Sequence, residues 1–191
     1  MLYYPKKEKM TNVKNYTDKE LLDKVTSLDT FKTLPPHLWL LFVRSNEDSN
    51  DVFDDKCYIF NFNTFQFVTS CTTNKGNKGT AVMESGAWYY DSYQYGLHKG
   101  KMPALRQVKG IPYRRDLTND LKTNPTTEIK RDIINMNIHG STYTLGSKQV
   151  STKIGGWSEG CLVLNNNPEY EKMVQMAKLY PSVSICLINE F

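Results

Sequence analysis

Two short stretches late in the chain hold the residues best suited to chemistry: NIHGSTY at 137–143 and GGWSEGCLVL at 155–164. A cysteine nucleophile needs an imidazole base within reach, and backbone N–H donors where an oxyanion will form. Gly160 lets the chain turn tightly into Cys161, so that the N–H groups of Gly160 and Cys161 can face a ligand. His139 closes an apolar, strand-like run, and Gly140 after it leaves room for the ring to face that turn. His139 and Cys161 are 22 positions apart, which suits a loop joining two neighbouring strands. On residue types alone two readings stand: a Cys–His pair, or a turn histidine beside a half-buried thiol.

The other reactive side chains are more ordinary. Cys57, Cys71 and Cys186 lie in or beside apolar runs (CYIFNF, FVTSC, SICLINEF), where a thiol behaves as a small buried hydrophobe. A Cys57–Cys71 bridge across a hairpin is left open. There is no CxxC pair and no zinc-like spacing, so neither a metal nor an organic cofactor is expected. His37, after two prolines, reads as structural. His98, in GLHKGKMPAL, either lines the cleft or sits on a surface loop. Ser141 and Ser158 either position substrate or cap turns, as short hydroxyl side chains commonly do. Trp157, beside the cysteine turn, is a cleft candidate, whereas Trp88, Tyr89 and Tyr90 read as core. Tyr113, in GIPYRRD, is placed on the rim with Arg114 and Arg115, whose guanidinium groups suit a carboxylate-rich peptide.

These groups must be carried by elements that the rest of the sequence specifies. With 191 residues, 39% hydrophobic and 23% charged, the chain has the makings of a folded domain that needs no disulfide. TDKELLDKVTSL (17–28) predicts a helix with Thr17 as N-cap and Glu20 as its capping-box partner. The prolines of LPPH (34–37) end it. LWLLFVRS (38–45), CYIFNFN (57–63) and FQFVTSC (65–71) predict strands, the last two as a hairpin. Residues 81–112 suggest short strands with long loops, and 116–132 a polar loop with a helical turn. IINMNIHG and CLVL predict strands, NPEYEKMVQMAKLY (167–180) an amphipathic helix, and SVSICLINEF a final strand. The order gives an α+β, β-rich fold, a β-sandwich or partial barrel, with a short N-terminal helix and one late amphipathic helix. Residues 1–37 read as a polar leader and helix, and 38–191 as the main domain.

A net charge of +4 and the lack of any helix-turn-helix, zinc-finger or RNA-binding signature argue against a nucleic-acid partner. The longest apolar stretch, LWLLFV, is too short for membrane insertion. MLYYPKKEKM has no apolar h-region, so synthesis in the cytoplasm without a signal peptide is expected.

IHGST followed by GGWSEGCLVL resembles the signature of the L,D-transpeptidase catalytic domain, the YkuD-like family: H-G, a spacer, then S/T-H-G-C and an apolar strand. CYIFNFNTFQFVTSCTTNKGNKGT resembles that domain's early hairpin, and GAWYYDSYQYGLHKGKMPAL more loosely its following loop region. The resemblance implies a thiolate that attacks stem-peptide bonds of peptidoglycan and forms an acyl-enzyme. Carried over by position, Cys161 is the nucleophile and His139 the base. The carbonyl of Gly140 or Ser141 orients the ring, and the N–H groups of Gly160 and Cys161 form the oxyanion hole. Ser158, Glu159, Trp157, His98 and Tyr113 are the substrate-binding candidates. Two positions depart from the family pattern: Glu159 stands where a second histidine is common, and Val163 where arginine or asparagine is usual. Ser-Glu-Gly-Cys resembles a divergent, phage-associated branch. Glu159 opposes ionisation of the thiol unless it points away or binds a cation; it reads either as a contact for a substrate amine or an extra acid/base, or as a solvated turn residue. The implied function is a cysteine peptidase or acyltransferase on peptidoglycan stem peptides. Such an enzyme would serve phage lysis, or be carried in the particle with other virion proteins to act at the bacterial cell wall. The alternatives are a cross-linking L,D-transpeptidase, a peptidase on a protein substrate, or a non-catalytic virion module that keeps the fold.

Overall fold

The computed structural model describes residues 13–47, 49, 51–118, 127–144 and 146–191. Its centre is a β-barrel of eight strands in the order β1-β11-β5-β6-β9-β10-β3-β2. The barrel strands are β1 (Leu38–Arg44), β2 (Asp55–Asn61), β3 (Thr64–Thr72), β5 (Ala87–His98), β6 (Met102–Gln107), β9 (Ile138–Gly140), β10 (Leu162–Leu164) and β11 (Val183–Asn189). A second sheet joins β4 (Ala81–Met83), β7 (Ile111–Arg115) and β8 (Lys130–Asp132). The sheet thus closes fully, where the sequence pattern left a sandwich or partial barrel open.

LWLLFV reads as one continuous apolar run because β1 is buried on both faces. Leu38, Leu40 and Phe42 enter the main core with Leu162, Leu164, Ile185 and residues of α2 (Asn167–Ala177). Trp39, Leu41 and Val43 enter a second core with Leu21 and Val25 of α1 (Asp18–Thr26). Thr17 and Glu20 form the expected capping box. The end of the helix-bearing segment is tied to the far end of the chain, with Tyr16 stacked on Phe191 at 4.3 Å.

Three sequence expectations change. Residues 81–112 hold the short β4 but not the long loops expected, because β5 and β6 form one long hairpin. Gly96 serves that hairpin rather than ending it: a Cβ there would lie 2.7 Å from Cδ of Arg106, whose side chain crosses the glycine. Of the IINMNIHG strand only Ile138–Gly140 survives, since Asn135 turns the chain with φ +59°. The amides of Ile134 and Met136 instead donate to the Gln107 side chain. Cys57 lies opposite Thr69 and Cys71 opposite Asp55, so the two cysteines do not face each other across the hairpin, and all four thiols are free. The helical turn expected within 116–132 falls partly on 119–126, outside the described residues; 130–132 form β8.

Candidate active site

Strand register brings the histidine and the cysteine together. β9 and β10 run parallel and adjacent, with His139 beside Val163 and Ile138 beside Leu162. Alternation sends Ile138, Leu162 and Leu164 into the main core, which leaves His139 and Cys161 on the other face. There Val163 is fully buried in a small cluster with Phe53 and Ile154, against which Trp157 and Cys161 pack. An apolar side chain at 163 therefore fits its surroundings.

The cysteine turn is held by glycine and serine. Gly160 has φ +134°, and a Cβ there would lie 2.9 Å from both the Cβ and the carbonyl oxygen of Ala81. No other residue meets both demands. Ser158 Oγ donates to the Cys161 carbonyl at 2.7 Å and accepts the Gly160 N–H at 3.1 Å. Ser158 is thus the staple of the turn, and the Gly160 N–H, expected as an oxyanion donor, is already engaged.

Across the strand pair, His139 is fully buried and donates from Nδ1 to the Gly140 carbonyl at 2.7 Å. That resolves the choice between Gly140 and Ser141 as the orienting group. Ser141 faces elsewhere: its Oγ donates to the Asn165 carbonyl and accepts from Ser151. Gly140 itself is needed because Tyr170 of α2 packs over it, where a Cβ would come within 2.7 Å of the ring. With Nδ1 engaged, the free lone pair is on Nε2, which is buried and has no hydrogen-bond partner. A buried acceptor left unpaired costs about 1–3 kcal/mol, so such groups mark places where structure is sacrificed to another end. One ring nitrogen each of His139 and His98, and Sγ of Cys161, all lie within 4.8 Å of one another. The thiol donates to the Asn135 carbonyl at 3.5 Å.

The electrostatics keep both partners neutral at rest. Burial pushes the His139 imidazole down to about 4, opposed in part by its bond to Gly140. Burial also pushes the Cys161 thiol up; the Asn137 backbone and the Lys99 ammonium pull it down, and the Glu159 carboxylate pushes it further up. The arrangement is a thiol beside an imidazole rather than a preformed ion pair.

Cys161 opens onto a cavity of about 1080 Å³. Trp157 and Glu159 line it, and so does His98, which the sequence left open between cleft and surface loop; Tyr143 packs against the Trp157 ring at 5.0 Å. Tyr113 does not reach it. That ring is 4% exposed in the main core, because β7 turns it inward, and only its neighbour Arg115 lines the cavity. Arg114 instead pairs with Glu84 at 2.8 Å. Among the described residues, Lys75, Lys78, Lys99, Arg106 and Arg115 face the cavity against one carboxylate, that of Glu159.

The sequence reading missed the polar residues behind the pair. Asn137, two residues before His139, accepts the Gln107 N–H on Oδ1 at 3.0 Å and donates from Nδ2 to His98 Nδ1 at 3.0 Å. The spacing of two between Asn137 and His139 was the available signal, since alternate residues of an extended chain share a face. This network also bears on metal binding. His98 Nδ1 is occupied as an acceptor, so its Nε2 carries the proton. As hydrogen-bonded, the cluster offers two metal-seeking atoms, His139 Nε2 and Cys161 Sγ, and one N–H.

Comparison of the chain with protein-family models, with curated proteins and with solved structures finds no match in any of the three.

Proposed function

We propose that this protein is a cysteine-dependent acyl-transfer enzyme, a YkuD-like peptidase or acyltransferase acting on peptidoglycan stem peptides. The observation that carries the reading is the Cys161 thiol within 4.8 Å of a His139 ring nitrogen at a cavity wall, with Nδ1 of that ring held by the Gly140 carbonyl. The resemblance of residues 137–164 to the family's two-turn signature supports the wall substrate. The basic cavity lining suits a peptide rich in carboxylates.

In this reading Sγ attacks the acyl carbon while its proton passes to His139 Nε2, and the carbonyl electron pair moves onto oxygen. Collapse restores the carbonyl, breaks the C–N bond and returns the proton to the leaving amine. Water then releases the acyl group, or a second amine accepts it. Glu159, exposed at the cavity, is placed to receive an ammonium group of either partner.

The test is incubation with purified peptidoglycan and analysis of the released muropeptides. Shortened stems indicate hydrolysis, and new dimers indicate cross-linking. Cys161→Ala should reduce turnover to background, and His139→Gln should lower it by about 10²–10⁴-fold. Unchanged turnover in Cys161→Ala would overturn the proposal.

A further inference from the structure

His98 is not accounted for by the dyad, yet the fold fixes it with unusual care. It ends β5, at the tip of the β5–β6 hairpin, is 8% exposed, and lines the cavity. Its ring stacks on that of His139, centroids 4.4 Å apart and planes 30° apart. The orientation of the Asn137 amide is set by the Gln107 backbone N–H, which can only meet an oxygen. The amide nitrogen must then face His98 Nδ1, which can only accept. Gln107 in turn is locked: its Oε1 takes the Ile134 and Met136 amides, and its Nε2 donates to the Lys109 and Asp132 carbonyls. Gln107 and Asn137 are both 3% exposed, so solvent does not compete for these bonds. The two stacked rings are therefore opposite tautomers. His139 holds its proton on Nδ1 and presents a lone pair at Nε2; His98 presents an N–H at Nε2.

The oxyanion hole, meanwhile, is short of a donor. Gly160, one of the two backbone groups expected there, gives its N–H to Ser158. We infer that the Nε2–H of His98 supplies the missing donor, receiving with the Cys161 N–H the oxygen that becomes negative when Sγ attacks. The inference rests on Cys161 being an acyl-accepting nucleophile, and is independent of which acyl compound is the natural substrate. A neutral donor suits the place. Burial and the neighbouring Lys99 both disfavour a charged His98 ring, and a second positive charge would hinder His139 from taking up the thiol proton.

Two reactions at the same sulfur separate this role from a merely structural one. Acylation by p-nitrophenyl acetate passes through a tetrahedral oxyanion, whereas alkylation by iodoacetamide displaces iodide and forms none. His98→Ala should slow acylation by about 10²–10³-fold, the usual cost of one oxyanion donor, and change alkylation by less than about twofold. His98→Gln, which retains an N–H donor, should recover part of the loss. Nitrogen NMR of the histidine-labelled protein should find Nε2–H in His98 and Nδ1–H in His139. Equal losses in acylation and alkylation, an Nδ1–H tautomer at His98, or a wild-type Cys161 that alkylates but takes up no acyl group would each overturn the inference. Acylation of the expected kind with no action on peptidoglycan would uphold it and remove the wall substrate instead.

Discussion

A neutral imidazole sealed against β9 and β10 has consequences for stability as well as for chemistry. His139 titrates near 4 in the folded protein and near 6.5 in an unfolded chain, so between those values the unfolded state binds the extra proton. The stabilisation is whole above pH 6.5 and is lost as the pH falls toward 4, by about 3 kcal/mol in all. Denaturant titrations at pH 7 and pH 4 should show that loss in the wild type and a clearly smaller one in His139→Gln. His98, also pushed down by burial, adds to the loss in the same direction. An equal acid sensitivity in His139→Gln would mean that the ring is not the buried neutral base described here.

At the scale of elements, the site depends on α2 pressing on β9. The Tyr170 ring occupies the space that a side chain at 140 would need, and in doing so keeps the Gly140 carbonyl where His139 Nδ1 can reach it. Gly140→Ala should cost about 1–3 kcal/mol as an overpacked contact and lower turnover more than stability alone would require. Tyr170→Leu in the same background should restore part of both, which melting curves and rates together can establish. The sequence carried much of this layout. Thr17 and Glu20 marked the start of α1, the amphipathic pattern over 167–180 marked α2, and the apolar runs marked β1, β2, β3 and β11. Their signals are local, arising within a turn of helix or along one strand. What stayed hidden depends on pairs distant in sequence. Asn135 leaves the extended state because Gln107, far upstream, takes over the amides around it. Tyr113 looked like a rim residue beside two arginines, and only the pairing of β7 with β4 and β8 sends it inward. His139 and Cys161 were visible as chemistry, while Asn137, which fixes the histidine beside them, was not.

For the molecule as a whole, the distribution of charge matters more than its sum. A net +4 spread over a surface would attract little, but five basic side chains lining one cavity with one carboxylate, among the described residues, raise the local concentration of anions there. The ratio of iodoacetate to iodoacetamide reactivity at Cys161 reads this potential directly. At low ionic strength it should exceed that of free cysteine several-fold, and it should fall toward the free value as salt shortens the Debye length to about 3 Å near 1 M. Lys99→Gln together with Arg115→Gln should reduce the excess, and a ratio indifferent to both salt and substitution would show that the cavity does not select for anions.

The bond from Cys161 to the Asn135 carbonyl carries one more consequence. Peroxide attacks thiolates, and a half-buried sulfur that keeps its proton gives an oxidant little to attack. Peroxide should therefore oxidise Cys161 more slowly than it does free cysteine.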